Sequence, residues 1–229
     1  MWSDVPRCPG RHPKQPVRSV SVRRCHHQPR YNIAPREDLV AITNDAPETM
    51  GHLEWGLLPH WAEDPDDVPR PINARSETSV EKPMFRDAFE KRRCLLLADG
   101  FYEWKGRRGS KQPYRIERPD REPYAYAGLW DTWQQKGEAV GTCTILTTEA
   151  NDVVADIHDR MPVILEPGEE KNWLNGAGVD ELQTLCKPYP GDLRAYPVSK
   201  RVNNPQNDSA DLLEEIDIGE QSGLSDFGS

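Results

Sequence analysis

Residues 92–104 read RRCLLLADGFYEW, and this stretch decides the fold that we expect. The apolar run that ends at Leu97 predicts a buried strand. The aromatic residues after Gly100 predict a second strand, which carries Glu103. A turn signal rich in Lys, Arg and Gly follows at 105–109 and ends that strand.

The remainder of the chain adds more short strands than helices. Runs of apolar, aromatic and β-branched residues predict strands over 39–42, 52–58, 114–116, 124–130, 140–148, 161–165 and 195–198. Other patterns predict short helices over 76–91, with a break at Pro83, and over 149–157, 169–174 and 179–185. Many strands on short loops, with a few helices between them, predict a single α+β domain. We expect a curved, mainly antiparallel, barrel-like sheet with short flanking helices.

The two ends differ in composition from this domain, which we assign to residues 31–208. Residues 1–30 are rich in Arg, Pro and His and show no period of 2 or 3.6, so we expect an irregular segment. Residues 209–229 are acidic and rich in Gly and Ser, which predicts a disordered tail.

Charge is unevenly distributed along the chain. The first 30 residues hold seven basic residues and one acidic residue, a net charge of +6. Because the whole chain has a net charge of −9, the remaining residues carry −15. Any contact with a polyanion must therefore come from a local cluster of arginines rather than from the overall field.

Composition and spacing do not indicate a membrane, a disulfide framework or a metal. No stretch approaches the roughly 20 apolar residues that a membrane helix needs, and no secretory signal follows the N-terminal charges. The five cysteines include no Cys-x-x-Cys pair, so we expect neither a zinc site nor a disulfide framework. We therefore expect a cytoplasmic protein without metal or cofactor. Cys94 and Cys143 lie on apolar strands, which predicts inert core residues.

Three polar side chains interrupt stretches that are otherwise apolar or small. Asn73, Glu103 and His158 bring an amide, a carboxylate and an imidazole into segments that we expect to be largely buried. An unpaired polar group is costly there, so the combination indicates a preformed site. Each residue also has a simpler interpretation. Asn73 could be a helix N-cap, Glu103 could face solvent, and His158 could cap the helix that ends beside it.

Six ordered blocks of the chain resemble the SRAP family, the abasic-site processing proteins that are also called SOS-response-associated peptidases. The blocks cover roughly residues 31–208 and read YNIAP from Tyr31, WGLLPHW from Trp55, NARSE from Asn73, EKPMFRDAF from Glu81, RRCLLLADGFYEW from Arg92 and IHDRMPVIL from Ile157. Any one block alone is weak evidence, whereas six blocks in order are specific.

The resemblance implies a covalent reaction with abasic sites in single-stranded DNA. In the family, a cysteine directly after the initiator methionine attacks the ring-opened sugar aldehyde with its α-amine, and its thiol then closes a thiazolidine ring. By match, Asn73 would orient this amine, Glu103 would move protons, and His158 would assist sugar opening and adduct turnover. An α-amine with a pKa of about 8, a partly buried carboxylate and an imidazole can all exchange protons near neutral pH.

The same match implies which side chains contact the DNA. Arg75, Arg86 and Arg160 would hold phosphates, and Trp55 and Trp61 would line the groove. The arginines could instead form ordinary surface ion pairs, and the tryptophans could be core residues. We expect single-stranded DNA with abasic sites as the partner, and a monomer, since a groove that admits DNA suits one.

Position 2 departs from the family, because it holds Trp2 where the nucleophilic cysteine would stand. Without that amine and thiol, we expect crosslinking to be disabled in the chain as written. Residues 8–11 read CPGR and resemble the family's Cys-Gly-Arg start only superficially. Cys8 is internal and would offer an α-amine only after cleavage before it.

A shift of reading frame would explain this departure. The first seven residues can be encoded so that two bases, TG, restored after ATG give Met-Cys-Gly-Arg-Thr-Ser-Leu. We hypothesise that residues 2–29 are read in a shifted frame, which is corrected just before Arg30.

Three functions stay open. The leading one is an abasic-site crosslinking protein, with an AP lyase step and self-removal of its first residue, which would make the chain an SRAP-type hydrolase and lyase in DNA repair. The second is a module that holds single-stranded DNA noncovalently. The third is a peptidase that acts on other proteins, for which the sequence offers no Ser-His-Asp pattern in a recognisable context.

Overall fold

The computed structural model describes residues 29–107, 110–135 and 138–218. The strands are β1 (Asp38–Thr43), β2 (Met50–Trp55), β3 (Asn73–Arg75), β4 (Arg93–Ala98), β5 (Gly100–Lys105), β6 (Gln112–Glu117), β7 (Tyr124–Gln135), β8 (Glu138–Glu149), β9 (Arg160–Pro162) and β10 (Arg194–Pro197). The α-helices are α1 (Ser76–Ser79), α2 (Arg86–Lys91), α3 (Asp152–Ala155), α4 (Glu170–Asn175) and α5 (Val179–Leu185). Two 3-10 helices follow at Lys200–Asn203 and Ala210–Leu213.

Five strands close into a barrel. β2, β1, β4, β7 and β8 lie in that order, and each pairs antiparallel with its neighbour. β2 then returns to β8 as a short parallel pair, with Glu54 beside Thr142 and Trp55 beside Cys143. The closure covers strand edges that would otherwise stay unpaired.

β8 is twelve residues long and exchanges partners along its length. On one edge β7 pairs with β8 as far as Ile145, and β9 continues from Thr147 to Glu149. On the other edge β2 is followed by β3, which runs parallel to β8 beside residues 145–147. Two short strands therefore flank the C-terminal end of β8.

Three further strands form a second sheet that, in the described part of the chain, shares no hydrogen-bonded strand pair with the barrel, in the order β10, β6, β5. The chain crosses into it at Asp99, the residue between β4 and β5. One face of this sheet packs against the barrel, because the rings of Phe101 and Tyr126 meet edge-on with centroids 6.4 Å apart. Ile116, the partner of Phe101 in the register, is fully buried on the same face.

Alternation along the barrel strands separates two apolar clusters. Leu53, Leu96, Cys143 and Ile145 belong to the cluster inside the barrel, together with Tyr126. The intervening residues of β4, β7 and β8 belong to a second cluster with α2, α4 and α5 on the outside: Leu95, Ala127, Leu129, Leu146, Phe89, Trp173 and Leu182. Successive side chains of a strand point to opposite faces, so the helices form a layer outside the barrel.

A buried arginine joins two of these helices to β4. Arg93 is 4% exposed. Its guanidinium donates to main-chain carbonyls at the C-terminal ends of α2 and α4, those of Phe89, Glu90, Trp173, Leu174 and Gly176. The last carbonyls of a helix lack partners within the helix, so one side chain satisfies groups from both helices.

The beginning and the end of the described chain are tied together. The Asp208 carboxylate accepts from the main-chain N–H groups of Tyr31 at 2.6 Å and Asn32 at 3.0 Å. The Asn32 side-chain amide donates to the carbonyls of Val202, Asn204 and Asn207. The Tyr102 hydroxyl donates to the Tyr31 carbonyl at 2.8 Å, which fixes this entry segment beside β5.

Residues 209–218 differ from the expected disordered tail. Leu212 is fully buried within a 3-10 helix, and the N–H of Ile216 donates to the Pro197 carbonyl at 3.0 Å. The acidic, Gly-rich composition gave no sign that a single leucine would anchor the segment. The expectations for residues 1–28, which include Trp2, Cys8 and the shifted reading frame, lie outside the described residues, as does the tail from residue 219.

The predicted fold class is confirmed: the domain is α+β, with a curved, mainly antiparallel, barrel-like sheet and short helices around it. The second sheet and β3 were not predicted as such. Cys94 and Cys143 are fully buried, as expected for core residues, and burial raises the pKa of both thiols. Among the described residues, no helix has both the length and the apolar character to cross a bilayer.

Candidate functional site

Four of the residues singled out in the sequence lie beside alternate residues of β8. Trp55 pairs with Cys143, Asn73 with Ile145, Arg75 with Thr147 and Arg160 with Glu149. Paired residues in adjacent strands point to the same side of a sheet, and alternate residues of one strand share a face. These four side chains therefore lie on one face, which we call the β8 face, spaced by about 6.8 Å along the strand.

The β8 face is the side of the sheet that turns toward the barrel interior, at its open end. Cys143 and Ile145 belong to the interior cluster, whereas Ala74, between Asn73 and Arg75, packs into the outer one. Asn73 and Arg75 are nevertheless exposed. An amide and a guanidinium thus stand at the end of an apolar interior, where solvent or a ligand reaches them.

Trp55 supports this face while its ring stays half-buried. Its Nε1–H donates to the Ile72 carbonyl at 2.8 Å, and the Ile145 N–H donates to the same carbonyl at 3.0 Å. The indole packs against the interior cluster. Trp55 therefore positions the chain directly before Asn73.

Arg160 is already paired in this structure. Its two terminal nitrogens contact the two carboxylate oxygens of Glu77 at 2.8 and 2.9 Å, and one of them also donates to the Thr147 carbonyl at 2.6 Å. Its Nε is buried and has no hydrogen-bond partner among the described residues. The hydrogen bonds from Arg160 lower the pKa of Glu77, with Arg75 adding a smaller contribution.

His158 lies in the short turn between α3 and β9. The main-chain N–H of Arg160 donates to its Nδ1 at 3.1 Å. The Asp159 carboxylate lies 3.3 Å from the same nitrogen, and the imidazole is 39% exposed. The Arg160 carbonyl oxygen also lies 3.3 Å from Nδ1, so this nitrogen faces one donor and two acceptors, and its hydrogen-bonding role depends on the tautomer of the ring.

Glu103 comes from the second sheet and faces the barrel. It shares one face of β5 with Phe101, which packs on the Tyr126 ring. Burial raises the pKa of the Glu103 carboxyl, and the His158 imidazole is close enough to oppose that rise. The N–H of Trp104 and Lys111 oppose it further, whereas Asp159 adds to it. The structure thus places the half-buried Glu103 carboxyl close enough to the His158 imidazole for the charge of the ring to affect the pKa of the carboxyl.

Two predicted DNA contacts lie elsewhere. Arg86 begins α2, whose buried residues Ala88 and Phe89 belong to the outer cluster, so it stands on the helical layer. Trp61 follows the segment that packs beside the β7–β8 hairpin, where the His60 N–H donates to Asp131 at 3.0 Å. It is 52% exposed, so it is not a core residue, but it is outside the β8 face.

Sequence reasoning did not single out Glu77 and Thr147. Glu77 is part of the NARSE block, but nothing in that block indicates which basic residue it pairs with. Its actual partner is Arg160, 83 residues further along the chain. Thr147 belongs to a β-branched strand and carries no local signal of its contact with Arg160.

The described residues contain no group of three or more His, Cys, Asp or Glu side chains that could hold a metal ion. The arrangement instead offers proton transfer by Glu103 and His158, beside an exposed amide and an exposed guanidinium. A carboxyl whose pKa is raised keeps its proton to a higher pH than a free carboxyl does, and it can donate that proton and take it back. These groups suit a small polar substrate attached to an anionic chain.

The fold and these groups define a small β-barrel protein with an acid–base pair beside a cationic strand face. The family model described as SOS response associated peptidase (SRAP) matches residues 11–205, and the chain belongs to this family. The matched range starts within the segment 1–30 that we expected to diverge from the family.

Relatives are found in bacteria and vertebrates. The abasic site processing protein YoaM of Bacillus subtilis is 48% identical over 195 residues, which cover 82% of this chain and 86% of that protein. The abasic site processing protein YedK of Escherichia coli is 32% identical over 82% of this chain and 85% of its own length. A crystal structure of a protein from Bacteroides thetaiotaomicron superposes with a TM-score of 0.72 at 31% identity, covering 79% of this chain and 82% of that one.

Proposed function

We propose that this protein processes abasic sites in DNA and binds the damaged strand in single-stranded form along the β8 face. The observation that carries the proposal is the position of the half-buried Glu103 carboxyl, near enough to the His158 imidazole for the charge of the ring to lower the pKa of the carboxyl. The relatives named as abasic site processing proteins, YoaM and YedK among them, support the substrate class. Arg75 is exposed and supplies a cation for a backbone phosphate.

The acid–base pair would act first on the sugar. A closed abasic sugar opens when its anomeric hydroxyl loses a proton and its ring oxygen gains one, which leaves an aldehyde. Glu103 and His158 can exchange both protons, because one group donates while the other accepts. Asn73 would orient the attacking amine through its side-chain amide, which can both donate and accept hydrogen bonds.

The covalent step needs a nucleophile from the N-terminus. An α-amine that attacks the aldehyde forms an imine and releases one water, and a neighbouring thiol then adds across the C=N bond to close a thiazolidine. Trp2 supplies no thiol, so the chain as written would open the sugar and bind it without closing the ring. A lyase step and removal of the first residue depend on the same N-terminal cysteine and belong to the same proposal.

A denaturing gel tests the proposal with an abasic single-stranded oligonucleotide. A chain that starts Met-Cys-Gly-Arg should give a slowly migrating covalent band, which disappears when that cysteine becomes alanine. Glu103→Gln and His158→Gln should slow band formation in this background, whereas Glu81→Gln, an exposed change on the segment before α2, should not. A covalent band of full strength from the Trp2 chain would refute the disabling role of Trp2. Sequencing the first ninety bases of the gene tests the shifted frame separately.

A noncovalent single-stranded DNA-binding module is the second candidate, and Trp2 is the observation that favours it. Such a module would bind abasic and intact oligonucleotides equally well, with strong salt dependence. The two candidates differ in the Met-Cys-Gly-Arg chain, because only the first gives a bond that survives denaturation.

A further inference from the structure

The pairing between Glu77 and Arg160 has a consequence for the binding of phosphate. Arg160 presents its fork of nitrogens to both oxygens of one carboxylate, at 2.8 and 2.9 Å. This is the bidentate geometry that arginine also uses for phosphate. The Glu77 carboxylate thus occupies the position on the guanidinium that a phosphate group would take.

The two partners differ in how firmly they are held. The Arg160 side chain is 17% exposed, and it keeps a second anchor at the Thr147 carbonyl, 2.6 Å away. The Glu77 side chain is 47% exposed and lies on a helix of four residues. Glu77 can therefore turn into solvent while Arg160 stays oriented by Thr147.

The charges around Glu77 favour its ionised form. The hydrogen bonds from Arg160 and the nearby charge of Arg75 both lower the pKa of the Glu77 carboxyl. Glu77 thus pairs with Arg160 while it also lies within the electrostatic influence of Arg75. Among the described residues, a phosphate that reaches this end of the β8 face meets Arg75 without an ion-pair partner and Arg160 already paired.

We propose that Glu77 is an internal competitor for DNA phosphate, which occupies Arg160 in the free protein and is displaced when a strand binds. The proposal rests on the proposed function, because it assumes that the phosphates of the strand reach the β8 face. It goes beyond that function by giving Glu77 a regulatory role. A carboxylate in this position lowers the affinity for intact strands, because each strand must first displace it from Arg160. Arg160 becomes available to a strand whose other contacts add enough to binding to displace Glu77.

Fluorescence anisotropy with a labelled, intact single-stranded oligonucleotide tests this competition, since no covalent step is involved. Glu77→Gln should bind about threefold more tightly than the wild-type chain. Its plot of log affinity against log salt should keep the wild-type slope, because Arg160 neutralises the same phosphate in both complexes once Glu77 has been displaced. The matched control Glu81→Gln removes the same charge from an exposed site nearby and should raise the affinity much less.

Two further variants separate pairing from charge. Glu77→Asp keeps the charge but is one methylene too short for the bidentate contact, so its affinity should also rise above that of the wild-type chain. In an Arg160→Gln background, Glu77→Gln should change neither the affinity nor the slope beyond the effect of the Glu81 control. Thermal melts establish that each variant is folded.

The results separate a failure of DNA binding from a failure of the competition by Glu77. If the wild-type chain binds no single-stranded oligonucleotide, the proposed function fails and this inference fails with it. If the wild-type chain binds, but Glu77→Gln matches Glu81→Gln or binds more weakly, only the competition is refuted, and Glu77 is then a residue that positions Arg160 for binding.

Discussion

The charge of the His158 imidazole, which lies in the turn before β9, lowers the pKa of the Glu103 carboxyl on β5 of the second sheet. Burial favours the protonated carboxyl, whereas a charged imidazole favours the carboxylate. The protonation state of His158 therefore shifts the equilibrium between the carboxyl and the carboxylate of Glu103.

Replacement of Glu103 by Gln should make stability less dependent on pH. Because burial raises the pKa of Glu103 in the folded protein, the stability that this group contributes is fully present below the unfolded value of about 4.3 and is lost as the pH rises through the raised pKa. Glu103→Gln does not titrate, so its stability relative to the wild-type chain should increase over that range. Urea unfolding at a series of pH values measures the difference, and a constant offset would contradict the expectation.

His158→Gln provides the complementary test of this pair. Removal of the imidazole takes away the largest influence that lowers the Glu103 pKa, so the carboxyl should titrate at a still higher pH. Carbon-13 NMR of the Glu103 carboxyl follows this titration directly. His60→Gln, a change at a histidine that pairs with Asp131 on β7, should leave the Glu103 titration where it is.

Arg75 and Arg86 should differ in their contribution to DNA binding. Arg75→Ala should weaken the binding of every single-stranded sequence and flatten the salt slope by about 0.7, because one phosphate contact is lost on the β8 face. Arg86→Ala removes the same charge from the outer helical layer and should change the slope little. Anisotropy titrations at several salt concentrations compare the two variants. If Arg75→Ala and Arg86→Ala gave equal salt slopes, the β8 face would not be the surface that binds DNA.

The barrel strands could be predicted because their signals are local. Long runs of apolar and β-branched residues mark β4, β7 and β8, and the predicted and observed bounds of α5 agree. The strand β3 could not be found in this way. It has three residues, two of them polar and exposed, and it exists only because β8 pairs with it from a distant part of the chain.

The candidate site was accessible to sequence reasoning only in part. The motif blocks singled out Asn73, Glu103 and His158 as candidates, but an ion pair such as that between Glu77 and Arg160 follows from the tertiary fold and has no local pattern. The ordered structure of residues 210–213 could not be predicted for the same reason. Their composition resembles that of a disordered segment, and the burial of Leu212 depends on a surface that only the folded domain provides.

Arg93→Met should destabilise the domain by about 3 kcal/mol, since it leaves helix-terminal carbonyls buried without donors. The guanidinium satisfies carbonyls from both α2 and α4, with distances of 2.6 to 3.2 Å. Arg93→Lys should recover only part of the loss, because an ammonium has three donors and no planar fork. Lys91→Met is the matched control: it breaks an exposed pair with Asp87 and should cost about 0.5 kcal/mol or less. Urea unfolding at neutral pH measures all three variants. If Arg93→Met were as stable as Lys91→Met, water would have to replace the guanidinium at these carbonyls, and the two helices would be held to β4 by apolar packing alone.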